Sequence, residues 1–135
     1  MRILILAAFL WTQAAGAFSQ QVHNLRVEAV IARQIEAFQS GELESAFGLA
    51  SPAIRNIFET PQKFAVMVRR GYPMVWEPEA FRFLDLREID GKLFQLVVIE
   101  DKQGRFHLLH YEMRQVGEEW RINGVQLVRE PTRGA

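Results

Sequence analysis

Between Val27 and Val68 the apolar residues of this chain recur every three or four positions, and beyond Pro78 they recur every two. A helix repeats after about 3.6 residues and a strand after two, so the chain changes from helix to strand once, near its middle. Helices and strands segregated in this way specify an α+β fold, because parallel α/β sheets need the two to alternate.

The helical block carries its own punctuation. Val27, Val30, Ile31, Ile35 and Phe38 share one helical face, and Gly41 is placed for the left-handed residue that ends a helix. A second helix is expected over 42–50, with Leu43, Phe47, Leu49 and Ala50 apolar. Ser51-Pro52 and Thr60-Pro61 repeat one start signal, a hydroxyl cap followed by proline at the first helical position. They open helices expected over 52–58 and 60–70. In the latter, Phe64, Met67 and Val68 form the apolar stripe and Gly71 is the expected stop.

The strand block is punctuated by turns. Asp90-Gly91 is a hairpin signal, and Gly104 and Gly117 mark two further turns. Strands are therefore expected over 80–87, 93–100, 105–114 and 119–129. The second is apolar on both faces, which marks it as central. The absence of linkers and repeats predicts one domain over 18–135, with its core at about 27–129.

The first 17 residues have a different character. Arg2 precedes an apolar run from Ile3 to Trp11, and Ala15-Gly16-Ala17 follows with small residues at the spacing signal peptidase reads. The run is too short to span a bilayer as a helix. The expectation is a signal peptide over 1–17, cleaved near Ala17, and a periplasmic or secreted domain that meets a membrane only during export. Residues 18–24 are polar and are expected to fray.

Charge and cysteine content narrow the chemistry. The chain of 135 residues has 16 basic and 16 acidic side chains and no cysteine. Arg2 is the only charge of the leader, so the exported chain carries one more acid than base. That balance predicts no nucleic-acid partner, which would need a clustered basic excess. Without cysteine there are no disulfides, thiol chemistry or Cys-based zinc sites, and the scattered histidines offer no metal spacing. No cofactor motif is present.

Two groups of residues stand out as site candidates. His107 and Tyr111 fall on one face of the third strand with Leu109 and Met113, while His110 falls on the other with Phe106, Leu108 and Glu112. His107 with Tyr111 is the expected catalytic pair if the protein is an enzyme, with Asp85 or Glu100 to position the histidine. His23 lies in the expected frayed start. The second group is Arg69, Tyr72 and Trp76, in a run with two methionines at the end of a helix. These three are expected to rim a ligand pocket: the arginine for an anion, the aromatics for an apolar body. Ser51 reads as a helix cap rather than a nucleophile.

The order of elements, and the ending Trp120-Arg121-Ile122-Asn123-Gly124-Val125, resemble the nuclear transport factor 2-like superfamily. A closer likeness is carried by Ala50–Arg55, Phe64–Met74, Tyr111-Glu112-Met113 and Trp120–Val125, which look like the bacterial family called domain of unknown function 4864. The resemblance implies N-terminal helices on a curved antiparallel sheet of about four strands, a cone-like arrangement that encloses a pocket, and a homodimer paired through the sheet. The superfamily holds isomerases, dehydratases and non-catalytic binding or assembly domains, so the likeness assigns no activity. The expected function is a non-catalytic module binding a small apolar or anionic ligand or another protein. The alternative is an isomerase- or hydrolase-type enzyme using His107 and Tyr111, and a third is a purely structural envelope component.

Overall fold

The computed structural model describes the backbone of residues 14–128 and side chains from residue 21 onward. Residues 1–13 of the expected leader lie outside the described residues, as does the tail from residue 129. Among the described residues five helices are followed by four strands: α1 Ala14–Gln39, α2 Leu43–Gly48, α3 Pro52–Phe58, α4 Pro61–Gly71, α5 Pro73–Trp76, then β1 Pro78–Ile89, β2 Lys92–Asp101, β3 Phe106–Val116 and β4 Glu119–Leu127. The strands form one antiparallel sheet in the order β1-β2-β3-β4. The fold is α+β, as the change of period requires.

The caps behave as their residue types dictate. The Ser51 side chain accepts from the Ile54 amide and the Thr60 side chain from the Lys63 amide, each ahead of a proline. Gly41 is left-handed at φ +72°. Asp90 and Gly91 both have positive φ, 51° and 76°, the pair of values a two-residue hairpin turn of matching twist needs.

Two local expectations change. Residues 18–24 are helical rather than frayed, because neither glycine nor proline interrupts the chain between Phe18 and Gln39 and α1 runs through. Gly71 does not stop α4 by turning left-handed; it is the last helical residue. The helix ends at Tyr72, φ −137°, because Pro73 excludes the helical region for the residue before it. Pro73 then starts the short helix α5, whose Met74 and Val75 are buried.

The helices cover one face of the sheet. The covered face presents Val97, Ile99, Leu109, Tyr111, Met113 and Ile122, which join Val27, Ile31, Ile35, Phe38, Phe64 and Val68 in one core. Three irregularities interrupt the sheet, one of them at the start of β1 between Pro78 and Ala80. In β1 the register slips between Phe83 and Leu86. The buried Gln95 amide donates to the Leu84 and Leu96 carbonyls there, both at 2.9 Å. In β4 the slip leaves Asn123 as the extra residue between Ile122 and Gly124. Beyond it, Ala50 bridges Ile122 on the outer edge of β4, so the α2–α3 connection is hydrogen-bonded to the sheet.

Candidate apolar cavity and neighbouring polar sites

A cavity of about 220 Å³ lies between the helices and β4. Its walls come from α1 (Gln34, Phe38), α3 (Ile54, Phe58), α4 (Phe64, Met67, Val68), the α4–α5 junction (Tyr72, Val75) and β4 (Ile122, Val125). Ile54, Phe58 and Met67 are half-buried, so the mouth lies between α3 and α4. The aromatic wall is tight: Phe64 packs on Phe38, Phe47 and Phe58 with ring centroids 5.8, 5.6 and 5.8 Å away. The cavity exists because α3 is only seven residues long and presents Ile54 and Phe58 to the core edge without burying either fully.

Two polar side chains line it, and each is tied to the backbone. Gln34 donates to the Ala46 carbonyl at 3.0 Å, and the Tyr72 hydroxyl donates to the Val125 carbonyl at 2.8 Å. Tyr72 thus stands on the pocket wall, whereas Arg69 and Trp76 are not among the lining residues. They pair with each other, the guanidinium 4.6 Å from the ring centroid, and Trp76 sits behind Phe38 at 5.4 Å. The three expected rim residues therefore divide between two places.

His107 and Tyr111 also separate. They share the covered face of β3, but four residues apart on a strand means about 13 Å. Tyr111 is fully buried, and its hydroxyl has no hydrogen-bond partner among the described residues. Burial, helped by nearby Tyr72, pushes its pKa well above the usual phenol range, so the hydroxyl stays a neutral donor. A buried donor without an acceptor is destabilising. Tyr111→Phe is therefore expected to hold or raise stability, by about 1 kcal/mol. Chemical denaturation checks this, and a loss above about 1 kcal/mol would show that the hydroxyl is satisfied in solution.

His107 instead borders a second cleft of about 260 Å³, with Pro73, Met74, Glu77 and the β2–β3 turn. Its Nε2 lies 2.8 Å from Asp101 Oδ2. Asp101 was not among the expected partners: Asp85 pairs with Arg87, and Glu100 opposes Phe106 on the other face of the sheet. Asp101 falls two residues beyond Ile99, which is opposite His107, so it is the diagonal same-face neighbour. Its carboxylate also accepts from the Gln103 and Arg105 amides at 2.9 and 3.0 Å and from Arg105 Nε at 3.2 Å. The His107 bond, with these donors, outweighs burial and lowers its pKa to about 2. An ionised carboxylate only accepts, so His107 Nε2 carries the proton and Nδ1 is the basic nitrogen.

The sign of the linkage follows. Because the folded pKa lies below the ordinary value of 3.8, the contribution of Asp101 to stability is present above about pH 4 and lost as pH falls toward 2. Thermal melts should show the gap between wild type and Asp101→Asn widest above pH 4 and closing toward pH 2. A gap that does not change with pH would contradict this.

Ser51 is a cap, as its pairing with proline implies, and it does more. Fully buried, it donates to Asn123 Oδ1 at 2.6 Å; Asn123 Nδ2 donates to Glu112 Oε2 at 2.6 Å, and Lys92 lies 3.5 Å from Glu112 Oε1. The bulge at Asn123 makes this reach possible, and among the described residues the serine hydroxyl bonds only Asn123 and the Ile54 amide. Among the described residues no group of three or more His, Asp or Glu could hold a metal ion, and no helix is long and apolar enough to cross a membrane. His110 lies on the uncovered sheet face beside Phe94, ring centroids 5.9 Å apart, and His23 packs edge-on to Trp120.

No curated protein and no solved structure matches the chain. The sequence model of the family described as Domain of unknown function (DUF4864) matches residues 20–135, and the chain belongs to that family.

Proposed function

We propose that the protein is a non-catalytic module that holds a small, largely apolar ligand in the cavity between α3, α4 and β4. One observation carries this reading: a void of about 220 Å³ whose walls are apolar except for two side chains already hydrogen-bonded to backbone. Sites for small molecules have this composition. A dry apolar cavity of about 150 Å³ admits benzene, so this one suits a ligand of roughly ten heavy atoms. The order of helices and sheet agrees with the nuclear transport factor 2-like arrangement, which supports placing the cavity at the pocket of that superfamily. The Arg2, Ile3–Trp11 and Ala15-Gly16-Ala17 pattern supports export and work in the periplasm or outside the cell.

Titration of the ¹⁵N-labelled protein with toluene tests the binding reading. Amide shifts should concentrate on Ile54, Phe64, Val68 and Val125. Shifts confined to the uncovered sheet face, or none at saturating toluene, would contradict it.

The hydrogen bond between Asp101 and His107 favours a second reading, in which the cleft beside α5 is a proton-transfer site with His107 Nδ1 as base. It requires Nε2 to remain protonated when the ring is neutral. Imidazole ¹⁵N shifts showing the opposite tautomer would remove it.

A further inference from the structure

We propose that Asn123 is a deamidation site, that its hydrogen bonds with Ser51 and Glu112 hold the folded protein back from this conversion, and that conversion releases the α2–α3 connection from β4. The inference stands apart from the cavity and from the ligand reading.

Of the three asparagines, Asn24 precedes Leu25, Asn56 precedes Ile57 and Asn123 precedes Gly124. Glycine has no side chain to shield its amide nitrogen, so an Asn-Gly pair closes into a ring more readily than asparagine before a bulky residue. The fold does not require this glycine. Gly124 does not have a positive φ, and a Cβ there would meet nothing nearer than 3.8 Å. Glycine inside a strand is destabilising relative to alanine, so its place after Asn123 calls for another reason.

The conversion has two steps. The Gly124 nitrogen bonds to Asn123 Cγ, the Cγ–Nδ2 bond breaks, and ammonia leaves with the proton that the Gly124 nitrogen loses. Water then opens the cyclic imide at either carbonyl, giving aspartate or isoaspartate.

Ring closure draws Cγ onto the Gly124 nitrogen, which the carboxamide cannot do while both its ends are held. Its oxygen accepts from Ser51 Oγ at 2.6 Å, and its nitrogen donates to Glu112 Oε2 at 2.6 Å. Ser51 is fully buried, and the Glu112 bond is charge-assisted. Aspartate in this place has no N–H to give Glu112 and sets a second carboxylate against it, a repulsion that the exposed Lys92 only partly offsets. The relay then fails beside the two backbone bonds that tie the connection to β4, from the Ser51 amide to the Ile122 carbonyl at 2.8 Å and from the Ile122 amide to the Leu49 carbonyl at 2.9 Å.

The test follows the tryptic peptide 122–129, which holds Asn123 and no other asparagine. The folded protein is kept at mildly alkaline pH, and chromatography with mass spectrometry counts the aspartate and isoaspartate forms. Glu112→Ala should convert Asn123 about tenfold faster than wild type, the worth of one hydrogen bond to a charged group. Val97→Ala, a core truncation away from the relay, should not. In folded Asn123→Asp the Ser51 and Ile122 amides should exchange with deuterium about tenfold faster than in wild type, while those of the central strand β2 stay unchanged.

Equal rates in wild type and Glu112→Ala, or an equal acceleration in Val97→Ala, would overturn the restraint. Unchanged exchange at Ser51 and Ile122 would overturn the release. Absence of both converted forms from peptide 122–129 of Glu112→Ala would overturn the site itself. If Glu112→Ala does not fold, Glu112→Met, which keeps the side-chain length and offers no oxygen, is judged by the same rates.

Discussion

Phe64→Ala is expected to destabilise the fold by about 3–5 kcal/mol, the range for deleting a buried phenyl ring from a core. Phe64 is 5% exposed and is the shared neighbour of Phe38, Phe47 and Phe58, so it joins α1, α2 and α3 through α4. Truncation loses the transfer free energy of the ring and the contacts on three sides. The site also cannot collapse easily, because the void left by the ring merges with the cavity that Phe64 already lines. The loss therefore belongs toward the upper end of the range. Urea denaturation followed by circular dichroism measures it. Ile57→Ala is the control: Ile57 is 66% exposed on the neighbouring helix, and surface changes of this kind stay within about 0.5 kcal/mol. A cost below about 1 kcal/mol for Phe64→Ala would mean that the face of α4 packed on the core has been misidentified.

Met67→Trp is expected to weaken toluene binding about 100-fold, equivalent to roughly 2.8 kcal/mol, while leaving the fold intact. Met67 lines the cavity near its mouth and is half-buried. The indole is larger than the thioether chain and has an empty space to enter, so it fills the void instead of overpacking the core. Occupying the void removes the room the ligand uses. Stability should stay level or rise slightly, because contacts replace empty space. The same amide-shift titration measures affinity, and a thermal melt confirms folding. An affinity equal to wild type in a folded Met67→Trp protein would place the toluene site elsewhere.

Much of the architecture is legible before any coordinates. The stripe Val27, Val30, Ile31, Ile35 and Phe38 is the buried face of α1, and Ser51-Pro52 and Thr60-Pro61 open helices where their chemistry demands. The face of β3 with Leu109, Tyr111 and Met113 is the one the helices cover, although Phe106 and Leu108 make the other face apolar in sequence as well. These features are local: they depend on period and on the hydrogen bonds of a few adjacent residues.

What depends on tertiary placement is not legible. Asp101 as the partner of His107 follows from the β2–β3 register, which pairs Ile99 with His107 and makes Asp101 its diagonal neighbour. With that register in hand, the turn Asp101–Arg105 and the histidine two residues later would have pointed to it. Asn123 reaches Ser51 and Glu112 only because of a bulge, and a single extra residue in a strand leaves no mark in alternation when its neighbours are Ile122 and Gly124. The cavity is harder still. Its lining draws on Phe38, Ile54, Phe64 and Ile122 from four separate elements, each with an ordinary core residue type. A void is the failure of several side chains to fill one space, and no single stretch of sequence encodes it. Arg69, Tyr72 and Trp76 are adjacent in the chain and look like one rim, yet the turn of α4 into α5 sends Tyr72 to the cavity and joins Arg69 to Trp76 outside its lining.

The central claim, that the helices and β4 enclose an apolar cavity that small molecules enter, is tested most directly by a crystal structure under xenon pressure. The account predicts a xenon peak in contact with Phe64, Val68, Val75 and Ile122, with no ordered water beside it. A cavity closed by repacked side chains, or one filled with hydrogen-bonded water and free of xenon, would contradict it.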